Sequence, residues 1–170
     1  MPTRTGKMFQ SKLESLKSES NWTGMIRMLK RYAMRYPNEY YIYQQLAATL
    51  YCDSVSQFKL AYKYAERAMI IEPEDDLNIY TYACALYYVG QLDKSLEHFT
   101  KIINKDIHEI AYGEHGEGVR YAKQLLNDAV YMTGVYVRTC IDTMRQKTIS
   151  CGILKVKSPF NIATLLKNKR

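Results

Sequence analysis

Apolar or small side chains recur at helical spacing in three segments of this chain. The segments are Trp22, Met25, Leu29 and Tyr32 before Pro37; Phe58, Ala61, Ala65 and Ala68 before Pro73; and Leu92, Ser95, Phe99 and Ile102 before Ile107. Their first residues, Trp22, Phe58 and Leu92, stand 36 and 34 positions apart. A helix-period pattern that returns at such steps predicts a stack of helical hairpins.

The same pattern gives bounds for six helices. They are Met8–Ser18, Trp22–Tyr36, Tyr40–Tyr51, Phe58–Ile71, Leu77–Val89 and Leu92–Asn104. Pro37 and Pro73 end two of them, because the residue before a proline is pushed out of the helical region. Three glycines predict a loop over 111–118. From Val119 an apolar stripe predicts one long helix to about Lys147, which we interpret as a cap over the last exposed apolar face.

The helical pairs resemble the tetratricopeptide repeat (TPR), a helix-turn-helix unit of about 34 residues. Two pairs carry the resemblance, one through Tyr43, Leu46, Ala47, Leu50, Phe58, Ala61, Ala65, Ala68 and Pro73, the other through Ile79, Tyr82, Ala83, Leu86, Gly90 and Leu92. The last pair departs from the pattern, since Ser95 and Ile102 replace alanines and Ile107 replaces the final proline.

The resemblance implies an all-α fold, a right-handed superhelix of about three helix-turn-helix repeats with a long C-terminal capping helix. We expect repeats at about 6–39, 40–75 and 76–109 and a capping helix at about 118–147, within a domain spanning 1–147. A tail, 148–170, would follow. Its Ser158-Pro159 pair and later apolar residues predict a short amphipathic helix, which either packs on its own domain or binds a partner.

The resemblance also implies a concave face lined by the first helix of each pair. The residues on that face would be Tyr41, Gln44, Ala48 and Tyr51, then Leu77, Tyr80, Cys84 and Tyr87. Each set is spaced at three or four residues, so each forms one stripe. We expect a protein or peptide partner to lie along these stripes. Some family members hold a C-terminal carboxylate with a lysine-asparagine clamp, but no such basic set occurs here.

Charge is segregated along the chain, although the net charge is only +7. Residues 1–37 carry eight Lys/Arg and two Asp/Glu, residues 38–118 carry six and thirteen, and residues 119–170 carry ten and two. A nucleic-acid binder is expected to carry one continuous basic stripe. Basic ends around an acidic middle therefore favour separate protein contacts or a homo-oligomer, and do not favour nucleic acid.

One basic patch stands out on the second predicted helix. Arg27, Arg31 and Arg35 lie four residues apart on one face, with Lys30 beside them. This spacing is typical of a solvated outer face, and it also suits an acidic protein or nucleic acid. Two alternative functions therefore stay open. One is nucleic-acid binding through the basic ends, with tyrosines as stacking platforms, and the other is a self-associating structural subunit.

No motif indicates catalysis or a bound metal. His108, Glu109 and His115 lack the spacing of a zinc HExxH site. The glycine run at 113–118 carries two carboxylates where a phosphate loop needs bare amides. We predict a protein that is not an enzyme and needs no cofactor.

The chain also lacks signals for export or membrane insertion. Its four cysteines show no CxxC motif, and no signal peptide or membrane-length apolar run occurs. These features predict free thiols, no contact with a membrane and a cytoplasmic location.

Overall fold

The computed structural model describes residues 4–52, 54–113 and 118–151. This part of the chain forms eight helices and no strand, which confirms the predicted all-α class. The helices are α1 (Arg4–Ser18), α2 (Trp22–Arg35), α3 (Tyr40–Tyr51), α4 (Phe58–Ile71), α5 (Asp76–Tyr88), α6 (Leu92–Asn104), α7 (Ile107–Tyr112) and α8 (Val119–Cys151).

The six predicted repeat helices are all present, and their ends lie within a few residues of the predicted bounds. The prediction of a loop over 111–118 needs a correction at its start. Ala111 and Tyr112 end α7, a helix of six residues that the sequence pattern did not reveal. The long helix from Val119 is confirmed and reaches Cys151. Residues 152–170, which hold most of the predicted tail and its amphipathic helix, lie outside the described residues.

Polar side chains fix the starts of several helices. The Asn21 side chain accepts a hydrogen bond from the Gly24 backbone N–H at 2.9 Å, and Asp75 accepts one from the Asn78 N–H at 2.7 Å. These bonds satisfy backbone donors that the first turn of a helix leaves without a partner. The buried Asn78 side chain donates in turn to the Glu72 carbonyl oxygen at 2.9 Å. These two hydrogen bonds therefore stabilise the connection between α4 and α5.

Consecutive helices pack on one another from α1 to α6, as a stack of hairpins requires. In addition, α3 packs directly on α5, so the first helices of the second and third pairs are neighbours. Small residues allow this close approach. Ala47, Ala65 and Ala85 form one buried cluster between α3, α4 and α5. This packing brings together α3 and α5, the two helices that carry the predicted stripes. We call their shared surface the wall.

Two larger clusters flank these alanines. One joins α1, α2 and α3 through Leu13, Leu29 and Leu46. The other joins α5 and α6 to α7 and α8 through Phe99, Ile110 and Leu125, among other residues. Burying each of these side chains contributes about 1.5–3 kcal/mol to folding. The second cluster shows that α8 covers the apolar side of the last repeat, as a capping helix should.

The chain divides into two compact units, 1–136 and 137–170. The first contains α1 to α7 and the part of α8 up to Tyr136, whose hydroxyl donates to Asp93 of α6 at 3.1 Å. The described part of the second is the remainder of α8. The predicted domain boundary at residue 147 stays a prediction. None of the described helices is both long enough and apolar enough to cross a membrane.

Candidate functional site

The predicted concave face corresponds to one side of α3 and α5. Six of its eight predicted residues are half-buried, namely Tyr41, Ala48, Tyr51, Leu77, Tyr80 and Tyr87. The other two, Gln44 and Cys84, are only 1% and 3% exposed. They offer almost no surface to a partner, because their side chains lie inside the fold. A binding role for this face stays a prediction, and it would rest on the six half-buried members.

At the α1 end of the face, Tyr41 contacts the first helix. Its ring meets the edge of Phe9 with centroids 6.4 Å apart, and its hydroxyl donates to the Gln10 side chain at 3.4 Å. The neighbouring Gln44 side chain accepts a hydrogen bond from Gln45 at 3.2 Å. These contacts orient Tyr41, so one end of the wall is preorganised.

At the opposite end, two tyrosine hydroxyls converge on one thiol. Tyr51 of α3 and Tyr80 of α5 both lie within hydrogen-bonding distance of Cys84. Burial raises the pKa of Cys84 to about 12, although the two hydroxyls oppose that rise. Burial also raises the pKa of Tyr51 and of Tyr80 well above the ordinary value. All three groups therefore stay protonated at neutral pH and act as neutral hydrogen-bonding groups.

A ladder of rings continues from this cluster. Tyr51 stacks on Tyr88 with centroids 5.6 Å apart, and Tyr88 lies parallel to Phe58 at 4.7 Å. Tyr87 meets Tyr88 edge-on at 5.5 Å. The periodicity of α5 alone does not place Tyr88 in the site. Its position depends on the packing of α5 against α3 and α4, which a one-helix pattern does not show.

Asp128 of α8 is a second residue whose link to this cluster is not visible in the sequence pattern. Burial is the main cause of the raised pKa of both Tyr80 and Cys84, and the negative charge of Asp128 raises both further. The charge of this carboxylate therefore acts on Tyr80 and Cys84. Among residues whose side chains the structure describes, no cation forms an ion pair with it. The site thus carries a negative charge.

The predicted basic patch lies on α2 and not on this face. Arg27, Lys30, Arg31 and Arg35 are all exposed, and the Arg35 guanidinium lies 5.6 Å from the centre of the Tyr36 ring. No cluster of His, Cys, Asp and Glu that could hold a metal ion occurs among the described residues.

The pairing of the helices defines a TPR-like fold, and solved structures share it. The chain is similar to the TPR2B domain of yeast Sti1, solved as a complex with pHsp70, at 19% identity and a TM-score of 0.56, covering 76% of this chain and 99% of that one. It is also similar to the Sgt2 TPR domain of Aspergillus fumigatus, at 16% identity and a TM-score of 0.55, covering 94% of this chain and 91% of that one.

The remaining comparisons find no match. No protein-family model fits the chain, and no curated protein matches it. At identities this low the structural likeness establishes the TPR-like fold alone.

Proposed function

We propose that this protein is a non-enzymatic protein–protein interaction module that binds a segment of its partner on the face formed by α3, α5 and α8. The observation that carries the proposal is the packing of the half-buried Tyr51 and Tyr80 against the core cluster that α8 shares with α5 and α6. The negative charge of Asp128 on α8 adds to it, since that charge acts on Tyr80 and Cys84. The TPR-like fold supports it, since repeats of this kind build extended binding surfaces.

The wall is suited to binding because its side chains are already held. Tyr41, Tyr51 and Tyr87 each contact another ring, so a partner would not have to order them. Preorganised aromatic side chains bind at a small entropic cost. Half-buried tyrosines offer apolar ring surface to a partner. A partner segment with apolar or aromatic side chains fits this surface.

The charge of Asp128 selects among such segments. A lysine or arginine of the partner would pair with this carboxylate and could lie over a neighbouring tyrosine ring, as cations do in proteins. A partner carboxylate would instead be repelled. We therefore infer a cationic, apolar segment as ligand, in contrast to a clamp for a C-terminal carboxylate.

The chemistry of the cluster supports a binding role and not catalysis. A nucleophilic cysteine needs a lowered pKa, because the thiolate is the reactive form. Burial raises the pKa of Cys84 to about 12, so its thiol is poorly suited to attack a substrate. Cys52 and Cys84 are both free thiols, which supports a reducing compartment such as the cytoplasm as part of this proposal.

A selection from a library of random short peptides on the immobilised full chain tests the proposal. Peptides that combine lysine or arginine with apolar residues should be enriched. In titrations followed by fluorescence polarisation, these peptides should bind the Asp128→Asn variant about three- to tenfold more weakly, the loss expected for one partly desolvated charge pair.

Asp142→Asn is the matched control. It removes the same charge from the same helix at an exposed position, so binding of the selected peptides should not change. Equal affinity of the cationic peptides for wild type and Asp128→Asn would contradict the proposal. Failure to enrich any cationic peptide would contradict it as well.

A further inference from the structure

The second helices of the first two repeats share three exposed residues of the same kind at matching positions. Both α2 and α4 have 14 residues, and their first residues stand 36 positions apart. At matching positions each carries a cation, an arginine four residues later and an apolar residue three residues after that. The matched sets are Arg27, Arg31 and Met34 on α2 and Lys63, Arg67 and Ile70 on α4.

The apolar members of both sets are unusually open to solvent. Met34 is 77% exposed and Ile70 is 67% exposed. A single exposed apolar side chain needs no explanation. Here, however, the same exposure recurs at the same position of successive repeats, among cations that are also exposed. The recurrence indicates a surface whose chemistry is repeated, as the binding surfaces of repeat proteins are.

We infer that the two helices present these residues to the same side. Both pack on α3, and equivalent helices of stacked repeats have the same orientation. A chain of contacts also links them. The Arg67 guanidinium lies 5.9 Å from the centre of the Tyr43 ring, and the Tyr43 hydroxyl donates to the carbonyl oxygen of Pro37, just after α2, at 3.1 Å. We call the six matched residues the basic helix face.

Three further exposed cations surround this face: Lys30 and Arg35 on α2, and Lys59 on α4. Among the residues whose side chains are described, no acid forms an ion pair with any cation of either helix. The positive charge of the two helices is therefore not neutralised by ion pairing within this part of the chain. Such a concentration of like charge attracts anionic partners and speeds their association.

The third repeat does not continue the pattern. The residues of α6 that match Lys63, Arg67 and Ile70 are Glu97, Lys101 and Asn104. Glu97 and Lys101 form an ion pair with each other at 3.1 Å. The basic helix face therefore ends at α4, and its length of two repeats limits the size of a partner.

We propose that the basic helix face binds an acidic protein segment that also carries apolar side chains. The complementary charge of such a segment would meet the cations, and its apolar residues would cover Met34 and Ile70. Single-stranded nucleic acid is favoured by aromatic stacking platforms, whereas the exposed apolar residues here are aliphatic. A membrane-binding face typically inserts Trp, Phe or Leu, and neither helix exposes one on this face.

Three synthetic probes and full-length protein test this assignment. The first is a short peptide with glutamates on one face and leucines between them, and the second replaces the leucines with serines. The third is a single-stranded oligouridylate. Vesicles of phosphatidylcholine and phosphatidylserine form a fourth arm. We expect the leucine-containing peptide to bind more tightly than the serine version, the oligouridylate or the vesicles.

Charge reversal then locates the binding surface. The double variant Arg31→Glu with Arg67→Glu should bind the leucine peptide about tenfold or more weakly, since like charges across an interface are strongly unfavourable. The double variant Met34→Ser with Ile70→Ser should weaken the leucine peptide and leave the serine peptide unchanged. Arg120→Glu with Lys123→Glu changes the net charge equally at exposed positions of α8 and should have little effect.

Several results would overturn the proposal. Equal losses for the α8 control would show that net charge alone controls binding. Equal affinity for the leucine and serine peptides would remove the role of Met34 and Ile70. Tighter binding of oligouridylate or vesicles, lost in the Arg31→Glu and Arg67→Glu variant, would assign the face to a nucleic acid or a membrane. Binding to this face is independent of Asp128, so its failure leaves the function proposed above untouched.

Discussion

The rings of Phe58 and Tyr88 lie parallel, with centroids 4.7 Å apart and an angle of only 4° between their planes. Phe58 is the first residue of α4 and Tyr88 the last of α5, so this contact joins the second repeat to the third. We predict an interaction energy of about 0.5–1.5 kcal/mol between the two rings. Urea unfolding of Phe58→Leu, Tyr88→Leu and the double variant measures this energy in a double-mutant cycle.

Tyr131→Leu serves as the control for that cycle. Tyr131 is 70% exposed, and its replacement should change the free energy of unfolding by less than about 0.5 kcal/mol. If the effects of Phe58→Leu and Tyr88→Leu simply add, the two rings do not stabilise each other and the contact between the repeats is weaker than its geometry suggests.

The pH dependence of stability should depend on His98. Burial lowers its pKa, as does the charge of Lys101, whereas Glu97 opposes the shift. Its ring meets Tyr82 edge-on at 5.1 Å, and its buried Nδ1 has no hydrogen-bond partner in the described part of the chain. Since the lowered pKa belongs to the folded state, the unfolded chain takes up the proton first as the pH falls.

Stability should therefore be complete above the unfolded pKa of about 6.5 and should decline below it. His98→Phe keeps a ring beside Tyr82 and removes the titrating group. We expect a smaller loss of stability for this variant than for wild type when chemical unfolding is repeated between neutral pH and pH of about 5.5. His108→Gln, at an exposed position, should retain the wild-type pH dependence. A slope that is the same in all three proteins would refute this role of His98.

Ser95 should tolerate alanine but not a large side chain. It is fully buried between α5 and α6, and its hydroxyl donates to the Ala83 carbonyl oxygen at 2.8 Å. Ser95→Ala removes one hydrogen bond and should cost about 0.5–1.5 kcal/mol. Ser95→Leu must separate the helices and should cost about 1–3 kcal/mol or more. Thermal unfolding of both variants measures the difference, and equal stability would mean that the helix crossing is less tight than described.

Lys105 should contribute more to stability than a surface lysine. Its amino group lies 2.7 Å from a carboxylate oxygen of Asp76 and 3.9 Å from one of Glu109, and its side chain is 23% exposed. Burial lowers the pKa of Lys105, but the hydrogen bond and charge of Asp76, aided by Glu109 and Glu74, outweigh burial and raise it overall. Its stabilising effect should persist through neutral pH and disappear only when alkaline pH deprotonates the amine.

Lys105→Met should lower the free energy of unfolding by about 1–2 kcal/mol, since Asp76 loses its charged partner. The ion pair of Lys101 with Glu97 provides the matched comparison, because both of its side chains are more than half exposed. Lys101→Met should cost less than about 1 kcal/mol. Equal effects of the two substitutions, measured by urea unfolding at neutral pH, would contradict the prediction.

The repeat helices could be predicted because each is long enough to show its period. Trp22, Phe58 and Leu92 begin the same kind of helix in each pair, as expected from their spacing. The six-residue α7 was missed because so short a helix displays less than two turns. A signal for it was present: Asp106 accepts a hydrogen bond from the His108 N–H at 2.7 Å, and Glu109 follows three residues after it, a pairing typical of helix starts.

The candidate site could be predicted only in outline. The spacing of Tyr51, Tyr80 and Tyr87 placed them on the correct helices, but the near-complete burial of Gln44 and Cys84 depends on neighbouring helices. The influence of Asp128 on the cluster likewise depends on how α8 packs. Helical periodicity describes one helix at a time, and these relationships join helices that are distant in the sequence.

Because Cys84 is buried, the rate at which its thiol is alkylated can report how often the surrounding helices move apart. A thiol that is 3% exposed and has a pKa of about 12 reacts with an alkylating reagent only when the surrounding helices part and the sulfur ionises. The modification rate, compared with that of the less buried Cys52, would therefore record how often the wall around Tyr51 and Tyr80 opens. A ligand that closes this wall would slow the labelling without touching the sulfur.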